Sequence, residues 1–227
     1  MSAGEPVGAV LVEAALTPPG PERTATVVGA LTGTEPDALG FAGWRALLLL
    51  DDAIAAAAAR PWRVRTAGLR RRSFVAAAVA TRWATQVSAA FADVAIDHVV
   101  TGELALALRY PRPGDRPVHG VTVVTAAPRR RAATVLRSLG LRPERSGPRS
   151  LVATSDGLRL LVHRGWPGAP TEALGSDPTG PAGGAFPVAT RSAEARRLAR
   201  PPADPDPPAE RLDLAALAGR IPVPPPA

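Results

Sequence analysis

The chain has 227 residues and a formal net charge of +7, and it contains no cysteine, lysine or asparagine. This length suits one principal domain with appendages, and the lack of cysteine excludes disulfide frameworks, thiolate chemistry and cysteine-based zinc sites. A basic balance usually favours a polyanionic partner. Here arginine supplies all of that charge and stands in for lysine, as in proteins from GC-rich genomes, so the charge alone assigns no nucleic-acid partner.

Hydrophobic residues make up 46% of the chain but aromatic residues only 4%, so Ala, Val and Leu must fill the core. The first seven residues include Glu5 and no basic stretch before an apolar run, which argues against a signal peptide. The longest apolar stretches, 46–50 and 53–59, are far shorter than the roughly 20 residues of a membrane span. We therefore expect a cytoplasmic protein with no membrane partner.

The N-terminal half is expected to be mainly helical. Residues 1–39 combine an apolar run at 7–12 with a proline-rich turn, which predicts a strand or loose helix and then a turn. Apolar residues from Gly40 onward recur at helical spacing up to Arg60, where Pro61 is expected to end the helix. A second helix is predicted over 69–93.

Strand and helix patterns alternate after residue 95. The apolar, β-branched stretches 96–100 and 118–125 predict two strands with a helix over 103–109 between them. A basic helix over 129–139 should end at Gly140. Two further strands, at 151–154 and 158–162, flank Ser155-Asp156-Gly157, a hairpin signal. This order predicts an α/β fold with a mixed β-sheet covered by helices.

Proline, glycine and serine dominate the chain after Trp166. Such stretches bury too little apolar area to offset their conformational entropy, so an extended C-terminal region is predicted. Short helices are expected at 192–199 and 211–217, and a polyproline II tail at 222–226. The predicted organisation is an N-terminal segment (1–39), an α/β core with its preceding helices (40–166) and a Pro/Gly-rich C-terminal region (167–227).

The segment 96–125 contains a strand that ends at Gly102, a helix, Arg116 and then a second strand. This order resembles the core of nucleotidyltransferase-fold proteins, in which a strand ends in Gly-Gly or Gly-Ser and an arginine precedes a strand bearing Asp-x-Asp. A weaker similarity to the C-terminal region of such families extends to 186–189 and 212–214. The resemblance implies a nucleotidyltransferase-like α/β (α+β) core with N-terminal helices and a Pro-rich C-terminal tail.

The resemblance also shows which side chains differ. It aligns Gly120 and Thr122 with the two aspartates of Asp-x-Asp, and Leu161 with a third carboxylate on the neighbouring strand. Nucleotidyl transfer needs Mg²⁺ bound by carboxylates, and residues two apart on a strand share a face. None of the three residues offers a charged ligand, and Glu103 replaces the second glycine or serine. The comparison therefore implies no catalytic residue of the usual kind and no metal site.

Five residues remain as candidates for nucleotide binding, because backbone amides and one arginine persist where the phosphates approach: Gly102, Glu103, Arg116, Gly120 and Thr122. Relocated acids are an alternative, for example a pair of Glu103 and Asp115 that would again require Mg²⁺. Positioned ligands need shared strand geometry, which loop residues seldom provide. Asp115 and Asp156 are better explained by turn chemistry.

The remaining candidates have less specific patterns. His98, His119 and His163 could converge as zinc ligands or supply a base, but their spacing is not diagnostic, and satisfied or exposed histidines are favoured. The arginine runs 70–72 and 129–131 could bind phosphate, but such runs are more often solvated helix faces. Neither run has interleaved aromatic residues for base stacking.

The leading hypothesis is a nucleotidyltransferase-like protein that has lost metal-dependent catalysis and acts as a binding or regulatory module. Its ligand would be a nucleotide or a protein partner, and no cofactor is required. The alternatives are a divergent active nucleotidyltransferase with relocated carboxylates and Mg²⁺, and a basic nucleic-acid-associated protein.

Overall fold

The computed structural model describes residues 7–50, 53–55, 60–165, 176–177, 186–190 and 207–222. Its contacts divide the chain into two compact units. The helical unit comprises residues 1–74, 110–116 and 198–227, and the sheet unit comprises 75–109 and 117–197. Each unit joins segments that are distant in sequence, and the division predicted at residues 39 and 166 stays a prediction.

Helices precede the first strand of the described chain, and most of the elements after it are strands. The helices are α1 (Val7–Leu16), α2 (Pro21–Leu31), a 3₁₀ turn (Pro36–Leu39), α3 (Gly40–Leu49), α4 (Arg60–Asp93), α5 (Glu103–Ala107), α6 (Arg129–Ser138) and α7 (Pro207–Leu217). The strands are β1 (His98–Thr101), β2 (Gly120–Thr125), β3 (Glu144–Arg145), β4 (Ser150–Ser155), β5 (Leu158–Arg164), β6 (Ser176–Asp177) and β7 (Val188–Ala189). Within the described residues, every helix is too short or too polar to cross a bilayer.

The helical unit has its own apolar core. Helix α1 buries Leu11, Val12, Ala14 and Ala15, a spacing that follows the helical period and makes this segment a helix rather than a strand. α1 and α3 approach closely at two glycines. A Cβ on Gly8 would lie 2.7 Å from the carbonyl oxygen of Leu39, so the absence of a side chain allows this packing.

The prediction that Pro61 ends a helix is wrong, and so is the predicted start of the next helix at Leu69. Pro61 is the second residue of α4, which runs for 34 residues. The first backbone N–H groups of a helix have no partner within it, so proline is tolerated in the first turn and its fixed φ favours the helix. α4 contributes residues up to Phe74 to the helical unit and later residues to the sheet unit.

A mixed sheet organises the sheet unit. Its described strands follow the order β3-β4-β5-β2-β1-β7-β6. β2 pairs parallel with β5, and β1 with β7, while the other neighbours are antiparallel. One face of the central strands packs into a core with the later part of α4 and with α6. The predicted α/β class with a mixed sheet and packed helices is therefore confirmed.

Several local predictions are confirmed with shifted bounds. The hairpin turns at Asp156, with a φ of 51°, and Gly157, with a φ of 74°. Helix α6 is followed by Gly140, which has a φ of 77°. Residues 211–217 are helical within α7. α5 ends at Ala107 instead of residue 109. The predicted helix 192–199, the tract 201–206 and most of the tail lie outside the described residues.

Candidate functional site

A row of side chains crosses the sheet at the positions that the sequence aligns with missing carboxylates. Thr101 lies directly opposite Thr122, Thr122 opposite Leu161, and Leu161 opposite Val152. Directly opposed residues of a sheet project to the same face, so these four side chains form one uncharged line, which we call the sheet row. Thr101 is buried, while Thr122 and Leu161 are partly exposed. The sheet therefore brings Thr122 and Leu161 together, as a shared site requires.

Gly102 lies beside this row, between β1 and α5. Its φ is 73°, and a Cβ at this position would lie 3.2 Å from Oγ1 of Thr122. Positive φ is strained for residues with a side chain. Gly102 is thus required by the backbone geometry that turns the chain from β1 into α5, whatever ligand the site accepts.

Gly120 occupies a position that is closed by the neighbouring strand. A Cβ there would lie 2.3 Å from the carbonyl oxygen of Arg159, and the backbone N–H of Arg159 donates to the carbonyl of His119 at 3.2 Å. Backbone atoms cannot yield as a flexible side chain can. An aspartate at residue 120 would therefore require β2 and β5 to shift apart.

Glu103 is held by the start of β2. Its carboxylate accepts the backbone N–H of His119 at 2.7 Å, and the other oxygen lies 3.3 Å from Nδ1 of the same histidine. Both side chains are well exposed, His119 at 67% and Glu103 at 41%. The carboxylate predicted to face phosphate is thus already engaged by the chain, and its role in nucleotide binding stays a prediction.

Acidic groups near the row do not converge. Among the described residues, no group of three acidic or histidine side chains could hold a metal ion. Glu144 lies at the outer end of the row, opposite Val152, two strands from Leu161. Neighbouring strands are about 4.8 Å apart, so this carboxylate is roughly 10 Å from the position of Leu161, too far to share one Mg²⁺ with it.

Arg116, the fifth nucleotide-binding candidate, belongs to the helical unit. Its Nε donates to Oδ1 of Asp213 at 2.8 Å and its terminal nitrogen to Oδ2 at 3.1 Å. Arg45 donates to the same carboxylate, and so does the hydroxyl of Tyr110 at 2.8 Å. We call these four residues the Asp213 cluster. Because Arg116 is only 8% exposed, the structure gives this guanidinium a structural role, and nucleotide binding by it stays a prediction.

The pKa values in the Asp213 cluster reflect competition between burial and the arginines. Burial alone would raise the pKa of Asp213, but the charges and hydrogen bonds of Arg116 and Arg45 outweigh it and lower that pKa to about 2. Burial and the neighbouring carboxylate raise the pKa of Tyr110 above its ordinary value. The carboxylate is therefore ionised and the phenol neutral at neutral pH.

Sequence reasoning does not identify this cluster as a site, although Leu212-Asp213-Leu214 belongs to the weaker part of the family resemblance. The available signal is an aspartate on the apolar face of a short helix, beside buried Leu212. A charged residue is almost never fully buried unless it is paired. The pattern therefore indicates a buried partner, but nothing in it points to Arg45 or Arg116.

The proposed acid substitute Asp115 is also occupied. It is 2% exposed, Arg70 donates to its Oδ1 at 3.3 Å, and the backbone N–H and Nε of Arg112 donate to Oδ2. Burial raises its pKa more strongly than these two arginines lower it. Asp115 thus lies in a turn, as predicted, since its backbone N–H donates to the carbonyl of Arg112, and this turn residue is in addition buried and paired with arginines.

The three histidines have separate environments. His98 has Nδ1 3.0 Å from the carbonyl of Ile96 and packs edge-on against Phe91. His163 has Nδ1 2.7 Å from Oγ of Ser150. Burial lowers the pKa of His98 and of His163, so both are neutral at neutral pH. His119 pairs with Glu103 at the start of β2.

The two arginine runs divide between structural and exposed side chains. Arg70 donates to the carbonyl of Leu48 as well as to Asp115. Arg129 donates to the carbonyls of Gly147 and Pro148 at 3.3 and 3.0 Å. The expectation that these runs are simply solvated therefore holds for only some of their members.

Comparison with known proteins gives one structural likeness. No protein-family model matches the sequence, and no curated protein matches it either. Among solved structures, the chain is similar to the solution structure of the antibiotic-resistance factor ANT(2'')-Ia, with a TM-score of 0.48 and 16% sequence identity. The similarity covers 63% of this chain and 88% of that one.

Proposed function

We propose that this chain is a nucleotidyltransferase-like protein whose sheet unit no longer performs metal-dependent catalysis and acts as a binding or regulatory module. The observation that carries the proposal is the closure at Gly120. The position aligned with the first aspartate has the carbonyl of Arg159 2.3 Å from where a Cβ would stand. The other two aligned positions, Thr122 and Leu161 of the sheet row, are uncharged.

Electrostatics explain why such a site would be inactive. Mg²⁺ takes oxygen ligands, usually one or two carboxylates with phosphates and water, and it neutralises charge that develops during phosphoryl transfer. Removing one positioned electrostatic group commonly lowers a rate by about 10²- to 10³-fold. Gly120, Thr122 and Leu161 supply none of the three carboxylates, so we expect the metal itself not to bind there.

The ligand expected at this place is a nucleotide held without metal. Gly102 carries no side chain, and the Thr122 side chain lies next to it on the partly exposed face of β2. Glu103 pairs with His119 instead of leaving an open anion site. We therefore expect weak nucleotide binding that Mg²⁺ does not improve.

The alternative of relocated carboxylates has less support. Its two acids, Glu103 and Asp115, are each bound by other groups, the first by His119 and the second by Arg70 and Arg112. Using them for metal binding would break those contacts and leave an unpaired buried charge near Asp115, which is costly.

The first experiment measures nucleotide binding and transfer directly. The full chain is titrated with ATP or GTP by calorimetry, with Mg²⁺ and then with EDTA, and is incubated with α-labelled nucleotide and a mixture of protein and RNA acceptors. We expect equal affinity in both conditions and no label transfer. Mg²⁺-dependent transfer of label, lost in Glu103→Gln, would overturn the proposal.

The second experiment tests whether the sheet row is the old metal position. The double variant Thr122→Asp/Leu161→Asp places two carboxylates directly opposite each other, and Thr122→Asn/Leu161→Asn is its uncharged control. We expect Mg²⁺ to raise the melting temperature of the aspartate variant but not of the control or the wild type. A rise in the wild type would contradict the loss of the metal site, and equal responses of both variants would contradict the register.

A further inference from the structure

A strongly basic groove lies on the sheet unit and shares no lining residue with the sheet row. The groove has a volume of about 360 Å³ and lies between α6 and the β3–β4 edge. We call it the basic groove. Its lining residues are Arg129, Arg130, Ala133, Thr134, Arg137, Pro143, Arg145 and Leu151. This volume falls within the range of ordinary small-ligand sites, roughly 300 to 1,000 Å³.

Two elements direct arginines into the basic groove. Residues three, four and seven apart share one face of a helix, which brings Arg130 and Arg137 together on α6. Arg145 stands opposite Leu151 in the β3–β4 ladder and therefore shares its face. Glu144, the neighbouring strand residue, projects to the opposite face. Within the described part of the chain, four arginines and no carboxylate line the groove.

The arginines of the groove differ in what holds them. Arg129 is fixed by the carbonyls of Gly147 and Pro148. The side chains of Arg130, Arg137 and Arg145 have no hydrogen bond or ion pair with the described part of the chain and are exposed. Like charges repel when they are gathered without a counterion. The groove therefore attracts an anion and already has one immobilised guanidinium.

The chemistry of the lining favours phosphate. Guanidinium groups form paired, charge-assisted hydrogen bonds with phosphate oxygens. Much of the remaining described lining is aliphatic, from Ala133, Pro143 and Leu151, and it includes no aromatic ring on which a base could stack. We propose that the basic groove binds a compact anion with two or more phosphate groups, recognised through its phosphates and not through a base.

The binding test uses sodium tripolyphosphate as the probe and the full chain in calorimetric titration. The variant Arg137→Gln/Arg145→Gln removes one arginine from each side of the groove. The matched control Arg63→Gln/Arg65→Gln removes the same charge from exposed positions of α4 outside the groove. Because each removed contact is charge-assisted, we expect at least about tenfold weaker binding in the groove variant and less than about threefold in the control. Urea unfolding curves check that both variants fold.

Three results would overturn the proposal. The first is absence of tripolyphosphate binding to the wild type, and the second is equal weakening in groove and control variants, which would indicate net charge alone. The third is that a mixed-sequence single-stranded oligonucleotide binds more tightly than tripolyphosphate. This binding would show a steep salt dependence and would be lost in the groove variant. That result would make the groove a nucleic-acid surface. Since the groove shares no residue with the sheet row, none of these results decides the function proposed above.

Discussion

The helical unit contains a buried and paired carboxylate, whereas the sheet row of the sheet unit contains none. In the helical unit, Asp213 is 3% exposed and is bound by Arg45, Arg116 and Tyr110. In the sheet unit, the sheet row has threonine and leucine where a metal site would need acids. Asp213 is thus a buried acid with structural partners, while the four side chains of the sheet row are uncharged.

The largest expected effect comes from removing the charge at the centre of the Asp213 cluster. Asp213→Asn keeps the volume but leaves Arg45 and Arg116 buried without their counter-ion. Breaking a buried ion pair by removing one partner costs about 3–5 kcal/mol, so the free energy of unfolding should fall by that amount in urea titration. A loss below about 1 kcal/mol would mean that the cluster is not a structural centre.

The stability that Asp213 contributes should depend on pH. The pKa of Asp213 is lowered to about 2 from 3.8, so ionised Asp213 stabilises the fold above about pH 4. That contribution, about 2 kcal/mol, should be lost as the pH falls from about 4 towards 2. The difference in unfolding midpoint between the wild type and Asp213→Asn, measured between these values, should become smaller as the pH falls. A constant difference between the two proteins would contradict the lowered pKa.

A smaller effect tests the closed position in the sheet unit. Gly120→Ala places a Cβ against the carbonyl of Arg159 and forces β2 and β5 apart, at a cost of about 1–3 kcal/mol. Gly29→Ala is the control, because Gly29 lies in α2 with nothing within 4 Å of its would-be Cβ. Alanine in a helix should stabilise by about 0.5–1 kcal/mol relative to glycine. We therefore expect Gly120→Ala to lower the melting temperature and Gly29→Ala to raise it. An unchanged melting temperature in Gly120→Ala would contradict the steric closure.

The smallest expected effect concerns an exposed ion pair of the sheet unit. Arg82 donates to Asp156 at 2.6 Å, and both side chains are about half exposed. Exposed pairs contribute about 0–1 kcal/mol, so Arg82→Gln should change the free energy of unfolding by no more than that in urea titration. A loss as large as that of Asp213→Asn would contradict the distinction between buried and exposed pairing.

Sequence patterns predicted much of the local structure. The alternation of β-branched runs and amphipathic segments predicted the mixed α/β class, and Asp156-Gly157 predicted the hairpin, whose positive φ values suit these residues. Thr122 and Leu161, assigned by resemblance, are indeed neighbours in the sheet. Pro61 misled the prediction, because the same residue can end one helix or begin the next.

The candidate site was less predictable from sequence. Glu103, Gly102 and Gly120 could be predicted as candidates from the sequence. The hydrogen bond from the backbone of His119 to Glu103 and the contact of Gly120 with the carbonyl of Arg159 could not be predicted. The Asp213 cluster joins residues 97 and 168 positions apart in sequence. Composition predicted a basic chain, but not which arginines are held by carbonyls and which line the basic groove.

The sequence by itself determined the helix and strand periods, the turn at Asp156 and the residue types of the sheet row, because these depend on neighbours along the chain. Only the tertiary structure decided that Gly120 has no room for a side chain and that Asp213 is paired. Steric closure needs a second strand at a fixed distance, and a buried carboxylate is stable only with a partner from elsewhere in the chain. Both features depend on contacts between residues that are distant in sequence and meet only in the folded chain.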